Sequence, residues 1–185
     1  MITYKRRRLF PNAEEVNGYF LPIKVPFPEI FQAYDGPYSH FTYEKILKNL
    51  KIKYDDTFSL DVKSSPSTPV FASKTGVVAG LIDGINKFYT GLDFRTGLSV
   101  MPNLVLLRHP DSTLTLYSHL EAGSIRSGFC EKIHAGELIV RTGFSGWIGP
   151  TPHLHFEAFK KRGFDRVSFP VSFCDFKGEL YHNNF

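Results

Sequence analysis

The segment His153-Leu154-His155-Phe156-Glu157 sets two imidazoles two residues apart. On a strand, that spacing puts both on one face and turns Leu154 and Phe156 to the other. Neutral imidazole suits zinc, so a same-face pair is half of a metal site. An H-x-H alone is equally the mark of an ordinary pair of surface or core histidines, and its surroundings must decide. Residues 143–152 (GFSGWIGPTP) make a glycine-rich turn just ahead of the pair, suited to bringing backbone close to a substrate groove. His119 ends the run LTLYSHL, Asp61 lies in FSLDV and His40 in PYSH. The helix-borne motif H-E-x-x-H is absent, so its glutamate base is missing too. Glu157 shares the strand face of His155 and is expected to support an imidazole from outside the metal shell.

Strands must position these groups. TFSLDV, PVFAS, GVVAGL, NLVLLRH, LTLYSHL, ELIVRTG and HLHFEAF are short β-rich runs, most of them separated by Gly, Pro, Asp or Ser. The expected fold class is all-β dominated, an antiparallel sandwich-like core with short helical or loop insertions. Pro22, Pro26 and Pro28 make residues 1 to about 26 an irregular, extended lead-in. A first strand is expected through Phe31-Gln32-Ala33, and residues 41–53 carry apolar positions at helical spacing. Residues 82–103 form a long connection. The chain divides into an extended segment over 1–29, the main domain over 30–165 and a tail packed on it over 166–185.

Bulk properties narrow the function classes. The 185 residues suit one domain with a full core. With 42% hydrophobic and 22% charged residues, the chain reads as globular, and no apolar stretch is long enough to span a bilayer. The net charge of +4 is mild. The basic run Lys5-Arg6-Arg7-Arg8 has no interleaved aromatics and no nucleic-acid motif beside it, so no nucleic-acid partner is expected. Nor does the apolar core of a signal peptide follow it, because PNAEE interrupts. Cys130 and Cys174 are compatible with one disulfide or with two inert buried thiols.

Taken as a set, TPVFASKTGVV, LVLLRHPDSTLTLYSHL and AGELIVRTGFSGWIGPTPHLHFEAF resemble the core of the lysostaphin or LytM-type metallopeptidases, over roughly residues 30–160. The resemblance implies the duplicated hybrid motif fold, a Zn²⁺ cofactor and hydrolysis of peptide cross-links of bacterial peptidoglycan. Carried over by position, it implies His155 and Asp61 as metal ligands, and His119 and His153 as unligated catalytic histidines. The common early motif H-x-x-x-D fails here, because Thr57 stands four residues before Asp61. Some members instead place the ligand in a preceding S-H, which Ser39-His40 resembles, and this implies His40 as the third ligand. Asp55 and Asp56 are the fallback.

Two imidazoles and one carboxylate would leave one zinc position open for water, as a catalytic site requires. The alternative reading is an inactive domain of the same fold that binds the wall or regulates other hydrolases. A protease of non-wall proteins is a third. If the wall is the substrate, the expected location is periplasmic, cell-surface or secreted. His109, His134 and His182 read as structural or surface residues, and Tyr38, Tyr54 and Tyr117 as packing aromatics. Trp147 lines the groove or packs in the core.

Overall fold

A computed structural model describes residues 16–24, 30–32, 40, 55–163 and 165–176. The helix expected over 41–53, Tyr38, Tyr54 and His182 lie outside the described residues. The β-rich runs become strands: β1 (Val16–Tyr19), β2 (Ile30–Gln32), β3 (Leu60–Lys63), β4 (Pro69–Phe71), β5 (Gly76–Ile82), β6 (Phe88–Tyr89), β7 (Leu104–Arg108) and β8 (Leu114–Ser118). They continue as β9 (Lys132–Ile133), β10 (Leu138–Arg141), β11 (Gly146–Trp147), β12 (His153–Arg162), β13 (Asp165–Ser168) and β14 (Val171–Phe173). One short helix, α1 (Phe94–Ser99), lies between β6 and β7; Asp93 caps it by accepting from the Thr96 amide at 2.8 Å.

The main sheet has the order β2-β3-β12-β8-β7-β5-β9, with β13 paired to the outer half of β12. All its ladders are antiparallel. Strand alternation sorts its faces. Leu60, Val62, Val105, Leu107, Tyr117, Leu154, Phe156 and Ala158 are buried on one face. They meet Tyr19, Ile23, Val70, Ala72, Ile139, Val140, Val171 and Phe173 in a single core. Those partners come largely from the small pairs β4–β10 and β1–β14, so the core lies between a large sheet and a layer of short strands. The opposite face carries His153, His155 and Glu157, followed by a smaller apolar cluster of Leu114, Leu116 and Phe159.

The structure departs from the sequence reading in three places. The N-terminal segment holds β1, which runs parallel to β14 with Val16 opposite Val171; the prolines exclude a helix but not a sheet-edge strand. The long connection 82–103 contains β6 and α1. Cys130 and Cys174 are both free and exposed, so neither is a buried thiol and they form no disulfide. Among the described residues, no helix is long and apolar enough to cross a membrane.

Candidate functional site

Register brings the site together. His155 stands opposite Asp61 of β3 on one side and Ser118 of β8 on the other. Directly paired residues on one face lie about 4.5–5.5 Å apart at Cβ, within reach of one another. His119 follows Ser118 with a φ of 62°, left-handed backbone that a non-glycine residue seldom adopts. The ring centroids of His119 and His153 are 4.6 Å apart, those of His119 and His155 5.9 Å, and those of His40 and His155 4.9 Å.

Asp61 is the point of convergence. Its Oδ1 lies 3.0 Å from His155 Nδ1 and 3.6 Å from His153 Nε2, and its Oδ2 lies 3.2 Å from His40 Nε2. His40, Asp61, His119, His153 and His155 are all buried. Burial works against charge on Asp61, but His153 and His40 outweigh it and hold the carboxyl well below its ordinary range. Burial likewise opposes charge on His40, yet Asp61 and Asp56 raise its pKa well above the usual imidazole value. His119 is driven the other way, first by burial and then by His153 and His155. Burial also lowers His155.

The donor set fits a metal ion. One ligand atom from each of His40, Asp61 and His155 can be chosen so that all three lie within 4.8 Å of one another. His40 Nε2 and His155 Nε2 are buried without hydrogen-bond partners. Buried imidazole nitrogens left without a hydrogen bond are costly, and a cation shared with the Asp61 carboxylate would relieve that cost. His119 and His153 are anchored differently. His119 Nδ1 meets the Ser145 carbonyl at 2.9 Å, and His153 Nδ1 meets the Thr151 carbonyl at 2.7 Å. A carbonyl only accepts, so each Nδ1 carries a proton, and in the neutral ring the lone pair lies at Nε2.

Residues 56–166, more than half the chain, match the sequence profile described as Peptidase family M23. The chain belongs to peptidase family M23. The lysostaphin or LytM-type resemblance read from the sequence is thereby borne out, as is the strand-dominated fold. This M23 chain is 34% identical over 101 residues to the DD-carboxypeptidase/endopeptidase Mpg of Neisseria meningitidis serogroup B; the match covers 54% of the chain and 19% of Mpg. It is 30% identical over 98 residues to the cell division protein DipM of Caulobacter vibrioides, covering 53% of the chain and 14% of DipM. The M23 chain thus matches under a fifth of the length of these relatives. A solved variant of the catalytic domain of the prophage-encoded M23 protein EnpA from Enterococcus faecalis superposes with a TM-score of 0.52. It is 19% identical, over 82% of this chain and 94% of that one. A zinc-containing peptidase from Vibrio cholerae gives 0.50 at 20% identity, over 84% and 39%. These structural likenesses speak for the fold.

Other residues of the M23 chain find structural partners. His109 bonds to the Thr75 carbonyl at 2.9 Å and to Thr115 Oγ1 at 3.0 Å. Tyr117 is buried against Ser73 and Phe156, and His134 is exposed. Trp147 Nε1 donates to the Gly91 carbonyl at 2.9 Å, and a side chain at Gly97 would collide with its ring, so Trp147 packs against the chain inserted between β5 and β7, the 83–103 insertion. Glu157 does not support an imidazole: its Oε2 pairs with Arg166, and burial pushes its carboxyl up to about 8 despite that charge. Asp55 accepts from the Ser168 amide and hydroxyl, each at 3.1 Å. Asp56 Oδ2 lies 3.0 Å from His40 Nδ1, behind the imidazole and not among the three converging groups. Sequence reasoning missed the roles of Asp56, Asn103, Ser145 and Arg166. Only Asp56 gave a signal, being an acidic residue five before Asp61.

Proposed function

We propose that this chain is a zinc-dependent endopeptidase that hydrolyses peptide cross-links of bacterial peptidoglycan, working in the periplasm, at the cell surface or after secretion. The observation that carries the reading is the pairing of two kinds of histidine around one carboxylate. His40, Asp61 and His155 would hold Zn²⁺, and His119 and His153 present Nε2 lone pairs beside them. Bound zinc would supply a Lewis acid for the scissile carbonyl and a water of lowered pKa. His119 and His153, held by carbonyls through Nδ1, accept the water proton at Nε2 and return it to the leaving amine. The buried surroundings exclude bulk water and strengthen the hydrogen bonds the two imidazoles make to developing charge. The names of Mpg and DipM support the wall as the setting. The test is digestion of purified peptidoglycan, with released fragments read by mass spectrometry. New amine and carboxyl ends are expected with wild type and zinc, and none with His119→Ala at wild-type zinc content. Zinc-loaded wild type that leaves every peptide bond intact would overturn the activity and leave a binding domain.

In this reading Asp56 orients a ligand. Its carboxylate accepts from His40 Nδ1, which fixes the tautomer whose Nε2 faces Asp61. Asp56→Ala should weaken zinc binding by about 10–100-fold, measured by competition with a chromophoric chelator. Asp56→Asn keeps an accepting oxygen and should lose less.

A further inference from the structure

Asn103 lies just before β7, at the end of the 83–103 insertion, and is fully buried. Its side chain is fully used. Oδ1 accepts from the Ile85 amide at 2.8 Å, and Nδ2 donates to the Ile85 carbonyl at 2.9 Å and the Leu120 carbonyl at 3.0 Å. Its backbone joins in as well. The Asn103 amide donates to Ser145 Oγ at 2.9 Å, and its carbonyl accepts from the Leu120 amide at 3.3 Å. Ser145 Oγ in turn donates to the same Leu120 carbonyl at 2.8 Å. Both peptide groups of Leu120, the residue after His119, are therefore held by Asn103 and Ser145. The Gly143 amide holds the His119 carbonyl at 2.8 Å, and the Ser145 carbonyl holds the His119 ring.

This bracket surrounds a residue in left-handed backbone. Such a conformation is unfavourable for a non-glycine residue and persists only where its neighbours over-determine it. Close packing seals the arrangement. Gly146 has a φ of 82°, and an added Cβ would sit 2.9 Å from Pro102 Cα. Gly143 would meet the Glu121 backbone nitrogen at 2.5 Å in the same way. The insertion pairs with the loop carrying Ser145 through Phe88 opposite Gly146 and Tyr89 opposite Trp147.

We propose that Asn103 and Ser145 are positioning residues for His119: together they hold its left-handed backbone and its Nδ1–H tautomer, and they make the 83–103 insertion part of that support. The inference rests on the reading of His119 as a catalytic histidine only for its effect on turnover. Two readouts separate the parts. The first is the long-range ¹H–¹⁵N spectrum of the histidine rings in zinc-loaded protein. Wild type is expected to show His119 protonated at Nδ1 alone, and Asn103→Ala and Ser145→Ala to show a mixture of tautomers. Ser145→Thr, which keeps the hydroxyl, is expected to restore the wild-type pattern. The second is turnover of a peptidoglycan cross-link peptide. Both Ala variants should lose about 10–100-fold in kcat, with KM and zinc content close to wild type. Val78→Ala, a buried core truncation on β5, should change neither readout while lowering thermal stability. Unchanged tautomer in both Ala variants overturns the proposal. So does a kcat loss no larger than that of Val78→Ala. A wild type that shows the tautomer and its loss in the variants but cleaves nothing sustains the positioning and removes the enzyme reading instead.

Discussion

Asp61→Ala is expected to leave a folded protein that binds no measurable zinc, against about one ion per wild-type chain. The carboxylate lies within 3.6 Å of three imidazoles, and no other acidic side chain among the described residues meets more than one of them. Removing it takes away a proposed ligand and also the negative charge that gathers His40, His153 and His155. Asp61→Asn keeps the shape but offers a neutral oxygen, and it should fail nearly as completely. His155→Ala should fail too, because His155 is the imidazole directly opposite Asp61 on β12. Metal content by mass spectrometry, with circular dichroism to confirm the fold, settles each case. Zinc retained at wild-type stoichiometry in Asp61→Ala would move the metal away from this cluster.

The second large effect falls on stability. Phe156 is 1% exposed and sits between the two site histidines in sequence, on the reverse face of β12. It stands opposite Leu60 on β3 and Tyr117 on β8, with the Tyr117 ring 5.5 Å away and the Phe173 ring 5.8 Å away. Phe156→Ala should cost about 3–5 kcal/mol, from lost transfer energy and the cavity left behind. In a chain of this length that lowers Tm by roughly 6–20 °C. Phe156→Leu fills most of the cavity and should cost distinctly less. Thermal melts of the zinc-free proteins check both. Because the same strand presents Phe156 to the core and His155 to the site, the Ala variant should release zinc at the temperature at which it unfolds.

What could be read from the sequence follows from physical range. The shared face of His153 and His155 is a property of one strand, so alternation alone reveals it. The β-rich runs were equally local, and each became a strand. Pairing register is not local. That His155 lies opposite Asp61, 94 positions away, depends on the hydrophobic faces of β3, β12 and β8 fitting together, which no short window encodes. Asp61 and His119 were placed by resemblance to a family pattern, and His40 by the weaker S-H variant of it. Glu157 was assigned to an imidazole because it shares the face of His155, but Arg166, on the adjacent β13, takes it instead. Asn103 and Ser145 were invisible because a buried hydrogen-bond bracket has no compositional mark. β1 escaped notice because proline-rich flanks read as irregular chain, although a sheet edge tolerates them.

β12 is an interior strand of the main sheet, yet it joins β3 and β8, which come long before it. On a growing polypeptide, β3 and β8 emerge with their shared neighbour still unmade. A chain extended past His119 but not yet to His155 carries Asp61 and His119 without the strand that pairs with both β3 and β8. Non-local closure of this kind is slow relative to helix or hairpin formation. A metal that binds only the closed sheet adds its binding energy at that last step. A metal centre built on this cluster would therefore be timed: it would form in one step, and only once β12 has joined β3 and β8.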